Sequence, residues 1–156
     1  MNKFTLRRTL LRFLIAIIFF VSAIIKPVSA QTKELWGTTS SGGQYGAGVI
    51  LKTDGSGNNE AVQNFPAQND GVYPIYTNLI QASDGNLYGM TGNGGANNLG
   101  VLFQYNPVTS SYTKKLDFNG ATNGAQPNGS LMQASDGNLY GMTDSGGINN
   151  KGAAIL

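Results

Sequence analysis

Carboxylates carry most of the proton chemistry open to this chain, because it has eight aspartates and glutamates but neither histidine nor cysteine. That composition removes the imidazole base, the thiol nucleophile and the soft metal ligands in one step, so neither a metal nor a cofactor is expected. Asp84 and Asp136 stand in one phrase written twice, SDGNLYGMT. Asp70, Asp117 and Asp144 are single acids, and no spacing singles out the two carboxylates that glycoside hydrolysis needs. Trp36, Tyr88 and Tyr140 each follow a leucine and precede a glycine, and such rings can stack on sugars. GGANN from Gly94 and GGINN from Gly146 offer amides from a loop, but no helix follows either to make a phosphate cradle.

Each of these groups also has a plain structural use. An aspartate beside glycine fixes a turn by accepting backbone amides, and a group that recurs in every copy suits a turn better than a catalytic centre. A ring next to a leucine suits the core, and asparagines in a glycine loop suit unusual backbone angles. The sequence favours these uses, so no catalytic or ligand-binding residue is assigned.

The elements that would position these residues repeat. LWGTTSSGGQYGAGVIL begins at Leu35, LYGMTGNGGANNLGVLF at Leu87 and LYGMTDSGGINNKGAAI at Leu139, with steps of 52 residues. Asn64-Phe65 answers Asp117-Phe118, while Gly71 and Pro74 answer Gly124 and Pro127, at a step of 53 that places the length variation in loops. One period predicts four strands: Leu79 to Ala82, Asn86 to Thr91, Val101 to Tyr105 and Tyr112 to Phe118. The first two join through Ser83-Asp84-Gly85, a strong hairpin signal. No helical apolar period occurs beyond the N-terminal segment, so the rest of the chain is predicted all-β.

Large apolar residues stand next to one another in NLYGM, GVLFQY and GVILK, which predicts sheets covered on both faces. Four-stranded antiparallel sheets at this period, each covered by its neighbours, describe β-propeller-like blades. Gly37, Gly89 and Gly141, inside strands, then suggest a close approach of neighbouring backbones. A β-solenoid fits less well because its coils are shorter. A calcium-binding β-roll lacks support, since GNGGANNLG does not iterate every nine residues.

DGNLYGMTGNGGANNLGVLF resembles the GloVer tandem repeat of secreted bacterial proteins with varied C-terminal anchors, and DGNLYG more loosely resembles propeller repeats of sensor ectodomains. The resemblance runs from Leu35 to Leu156. It implies export and a propeller-like repeat domain, with no catalytic residues to carry over. The third copy departs from the pattern after Gly152, where AAIL replaces the fuller VLFQ. Residues 31–156 hold about 2.4 periods, and a closed ring of four to eight blades needs more, so the chain reads as an N-terminal fragment with further repeats expected.

Residues 1–30 read as a signal peptide. Lys3, Arg7, Arg8 and Arg12 precede an apolar run from Phe13 to Ile25, and Val28-Ser29-Ala30 offers a cleavage site before Gln31. The run is short for a membrane span, and the absence of cysteine argues against a lipid anchor. Cleavage leaves five basic against eight acidic residues, a net charge of −3, which gives no support for a nucleic-acid partner. The expectation is an exported, extracellular or surface-exposed, non-catalytic repeat domain for protein or glycan binding or scaffolding. The alternative is the propeller portion of a secreted polysaccharide-active enzyme whose catalytic acids lie in a downstream segment.

Overall fold

Hairpins dominate, and one turn design closes three of them. The computed structural model describes residues 34–54, 56–65 and 68–155; the expected signal peptide, residues 1–30, and its Ala30–Gln31 junction lie outside them. Among the described residues the strands are β1 Leu35–Thr39, β2 Val49–Thr53, β3 Asn59–Asn64, β4 Ile80–Gln81, β5 Leu87–Thr91, β6 Val101–Asn106, β7 Ser111–Asp117, β8 Met132–Gln133, β9 Leu139–Met142 and β10 Ala154–Ile155. A 3-10 turn, Gln68–Asp70, follows β3. The strands form three antiparallel meanders, β1-β2-β3, β4-β5-β6-β7 and β8-β9-β10. The prediction of four strands per period holds in the central sheet, with the first strand shorter than expected and the fourth shifted by one residue.

The β4–β5 turn explains why the phrase is written twice. Gly85 donates its amide to the Ala82 carbonyl at 2.9 Å, and Ala82 donates to Asn86 at 2.9 Å. Gly85 has φ +82°, which a side chain resists and glycine accepts. The β8–β9 turn repeats this geometry, with Gly137 donating to Ala134 and Ala134 to Asn138, both at 3.0 Å. This is a three-residue hairpin loop that ends in a left-handed glycine. The same pattern closes β2–β3, where Gly57 donates to Asp54 and Asp54 to Asn58.

Both faces of the central sheet are covered. Leu87 pairs with Tyr105, Gly89 with Phe103 and Thr91 with Val101, which sends one set of side chains toward the first sheet. There they meet Ile50 and Phe65 in one core cluster, with Trp36 and Tyr112 at its margin. Its rings interlock: Phe65 lies edge-on to Phe103 at 5.3 Å between centroids, Phe103 stacks on Tyr112 at 5.3 Å, and Trp36 tilts against Tyr105 at 5.8 Å. On the opposite face Met90, Ile80, Tyr88, Leu102 and Leu116 gather around Phe118 and Leu131. Each buried Phe or Met contributes about 1.5–3 kcal/mol by leaving water. Met90 is fully buried, whereas Met142, at the same place in the third sheet, is 72% exposed.

Two features recur at repeat spacing and join copy to copy. Phe65 and Phe118 are both fully buried, and both donate their amides to a loop glycine carbonyl, of Gly48 at 3.1 Å and Gly100 at 3.0 Å. The connector after each takes hydrogen bonds from both sides. Val72 exchanges backbone bonds with Asn93 while Tyr73 donates to Ala47; Ala125 exchanges with Ser145 while Gln126 donates to Leu99. A seam of main-chain bonds therefore runs from each loop through the connector into the next loop.

The glycine inside β5 has a different cause from the one predicted. A Cβ on Gly89 would lie 2.6 Å from the Phe103 ring and 2.9 Å from Leu79, both side chains. The cross-strand ring fills the space over Gly89, and no neighbouring backbone is involved.

Candidate functional site

The repeated acids are turn fasteners. Asp84 Oδ1 accepts the Asn86 amide at 3.0 Å, and its Oδ2 accepts the Asn86 side-chain amide at 2.7 Å and the Tyr88 hydroxyl at 2.9 Å. Asp136 makes the same three bonds with Asn138 and Tyr140, at 3.0, 3.2 and 2.7 Å. The Asn86 side chain, then its backbone amide, holds the Asp84 carboxyl below the ordinary aspartate range. For Asp136 the Tyr140 hydroxyl leads, followed by the Asn138 amide. Burial, with the bond to Asp84, pushes the Tyr88 phenol up. A carboxylate so engaged has little basicity to offer a substrate.

Tyr88 thus has two tasks, its ring half-buried against the second cluster and its hydroxyl tied to the turn. Tyr140 is also half-buried and makes the matching bond. Trp36 has no hydroxyl and packs beside Tyr105, with Lys52 Nζ 6.0 Å from its ring. The rings that share a repeat position therefore serve packing and turn geometry.

The single acids are scattered among structural tasks. Asp117 Oδ1 accepts the Ala96 amide at 2.8 Å and Oδ2 pairs with Lys114 at 3.0 Å. Partial burial pushes its pKa up, but the Ala96 amide and Lys114 outweigh that and leave the carboxyl below its usual range. Asn64 does the same work in the first copy, accepting the Gln44 amide at 2.7 Å. A position that a neutral amide fills equally well is not selected for its proton. Asp70 accepts the Tyr112 hydroxyl on its backbone carbonyl, and Asp144 donates its amide to Gln126 at 3.2 Å. Among the described residues no three acids gather as a metal would require, and no helix is long and apolar enough to cross a membrane.

The glycine loops fold around their own asparagines. Asn98 Oδ1 accepts the Gly94 amide and Asn150 Oδ1 the Gly146 amide, both at 3.1 Å. Asn97 donates its side-chain amide to the Phe118 carbonyl at 2.9 Å. The fully buried Thr91 bridges the loop ends, donating to Asn93 and accepting from Val101. Gly100 closes the loop at φ +97°, where a Cβ would lie 2.2 Å from the Thr91 carbonyl oxygen. The loops named in the sequence therefore spend polar groups on themselves, on the connector and on the end of the following strand.

Besides a concavity of about 470 Å³ lined by Thr38, Ser40, Tyr76 and Asn78, a groove that no motif announced is open to a ligand. Its volume is about 500 Å³, and it lies between the first and second loops, lined by Tyr45, Ala47, Gln68, Tyr73, Asn93 and Asn98. Tyr45 is 55% exposed and Tyr73 43%. Gln68 donates its side-chain amide to Asn98 Oδ1 at 3.2 Å, and its carbonyl accepts Gly95 at 2.7 Å, which fixes one wall. The connector supplies the floor through the Val72–Asn93 and Tyr73–Ala47 bonds.

Three meanders, two shared hydrophobic faces and a turn, loop and connector each used again at the repeat step define an all-β tandem-repeat protein. Residues 21–155 match the family described as Gloeobacter/Verrucomicrobia repeat, and the chain belongs to that family. No curated protein and no solved structure matches it.

Proposed function

We propose that this chain is an exported, non-catalytic repeat scaffold whose sheets stack as propeller-like blades and whose loop end meets protein or glycan outside the cell. The observation that carries the reading is the fate of the reactive groups. Every acid or ring that recurs between copies is engaged in a turn, a loop or the core, whereas two tyrosines that do not recur, Tyr45 and Tyr73, stand open in a groove at the loop end. The packing of the central sheet on the first, and of its other face against Phe118 and Leu131, supports the blade arrangement. The basic, apolar and small-residue order of residues 1–30 supports export with cleavage before Gln31.

The test uses the exported protein on a set of insoluble polysaccharides and on the proteins of the cell surface that secretes it, with retention and release of reducing ends measured together. Retention without release is expected. Release of reducing ends by the purified protein would overturn the non-catalytic reading and favour a polysaccharide-active enzyme.

A further inference from the structure

We infer that the groove between the first two loops is a binding site for a neutral saccharide chain, with Tyr45 and Tyr73 as its stacking surfaces. The inference deepens the scaffold reading and rests on it. Its starting point is a break in the repetition. At the next junction the connector keeps its backbone, since Gln126 has φ +51° against +55° for Tyr73, and it keeps the paired bonds to the following loop. What changes is the side chains: Tyr45 answers to Asn97, and Tyr73 to Gln126. Asn97 is used internally, on the Phe118 carbonyl. The tyrosines are thus not required by the repeat, and they project into solvent where their counterparts are amides.

The chemistry of the lining selects the ligand. Tyrosine, glutamine and asparagine side chains line the groove, together with Ala47 and Val72, and none of the lining residues carries a charge. Flat aromatic faces suit the C–H faces of a sugar ring, and amides suit its hydroxyls; an anion or cation would find no counter-charge. A volume of about 500 Å³ lies within the range of small-molecule sites, roughly 300–1,000 Å³. A protein partner calls for about 800 Å² of surface with an apolar centre, which this groove of seven mostly polar lining residues does not provide. The floor is tied by main-chain bonds and the Gln68 wall by its bond to Asn98, so binding orders little of the site.

The experiment is calorimetric titration of the exported protein with cellohexaose, chitohexaose and maltohexaose, with a galacturonic acid hexamer as the acidic comparison. Tyr45→Ala, Tyr73→Ala and Gln126→Ala are titrated beside it, each first checked for an unchanged urea midpoint. At least one neutral hexasaccharide should bind, roughly tenfold or more weakly in each tyrosine variant and unchanged in Gln126→Ala. If Tyr73→Ala fails the folding check, Tyr45→Ala alone decides. Binding to none of the three neutral chains, binding indifferent to the tyrosines, or a preference for the acidic chain would each overturn the inference. These outcomes leave the scaffold reading standing, since that reading falls only on release of reducing ends.

Discussion

Gly100→Ala tests the loop closure, because the structure separates its two costs. The first is conformational: Gly100 sits at φ +97°, and an L-residue in left-handed backbone costs about 1–2 kcal/mol. The second is steric: the new Cβ would lie 2.2 Å from the Thr91 carbonyl oxygen and 3.0 Å from Pro127 Cδ. Since the nearer obstacle is backbone, relief means moving the loop. That puts at risk the Gly100–Gly94 and Phe118–Gly100 bonds, both 3.0 Å, each worth about 1 kcal/mol net. Together the terms come to about 3–4 kcal/mol, a large share of the roughly 5–15 kcal/mol of a typical fold. Gly85→Ala is the control, with φ +82° and nothing within 4 Å of its Cβ, so it meets only the conformational cost of about 1–2 kcal/mol. Urea unfolding followed through Trp36, the single tryptophan, should show the larger midpoint shift for Gly100→Ala at constant slope. Equal shifts for the two variants would refute the close approach to Thr91.

Mass spectrometry of exported protein should find Gln31 at the N-terminus, and an intact Met1 would refute cleavage after Ala30. The carboxyls of Asp84 and Asp136 lie below their ordinary value of 3.8 in the fold, so the stability they contribute is present above that pH and is lost as pH falls through their lowered values. Urea midpoints at descending pH should therefore fall less steeply below about pH 4 in Asp84→Asn/Asp136→Asn than in the parent. Burial and the charge of Asp70 push the Tyr112 phenol far above its ordinary 10, so its contribution persists at lower pH and disappears at strongly alkaline pH. Alkaline spectrophotometric titration should show a phenol that ionises only with unfolding, and Tyr112→Phe should remove it.

Local signals in the sequence were readable and distant ones were not. Ser83-Asp84-Gly85 announced its hairpin because the bonds of Asp84 that shape the turn all lie within five residues. The edges of β5 and β6 followed from apolar runs that end at glycine or asparagine. The role of Tyr88 was half visible: leucine beside it pointed to the core, but nothing marked its hydroxyl as the partner of Asp84. The Asp54–Asn58 turn was missed because its flanking residues do not share the repeated phrase. The groove was invisible for a deeper reason. Repetition directs attention to residues that match, and Tyr45 and Tyr73 are residues that do not, brought together only by the connector's bond from Tyr73 to Ala47.

The joint between copies has a handedness of its own. Gln133 reaches back to the preceding turn, accepting the Ser83 amide at 2.9 Å and donating to the Ser83 hydroxyl at 3.1 Å, and Ser130 accepts the Asn78 amide at 3.0 Å. The front of one copy meets the back of the next, so the contact is heterologous: it has no twofold axis and leaves each unit with one donor side and one acceptor side. The exposed Met132 and Met142 mark an acceptor side whose counterpart in the central sheet is filled. Contacts of this kind end only when they return to their start, and otherwise they propagate as fibres. Where units joined in this way do not return to their start, a bared face invites association between molecules, so a substitution at the joint acts on assembly as well as on stability.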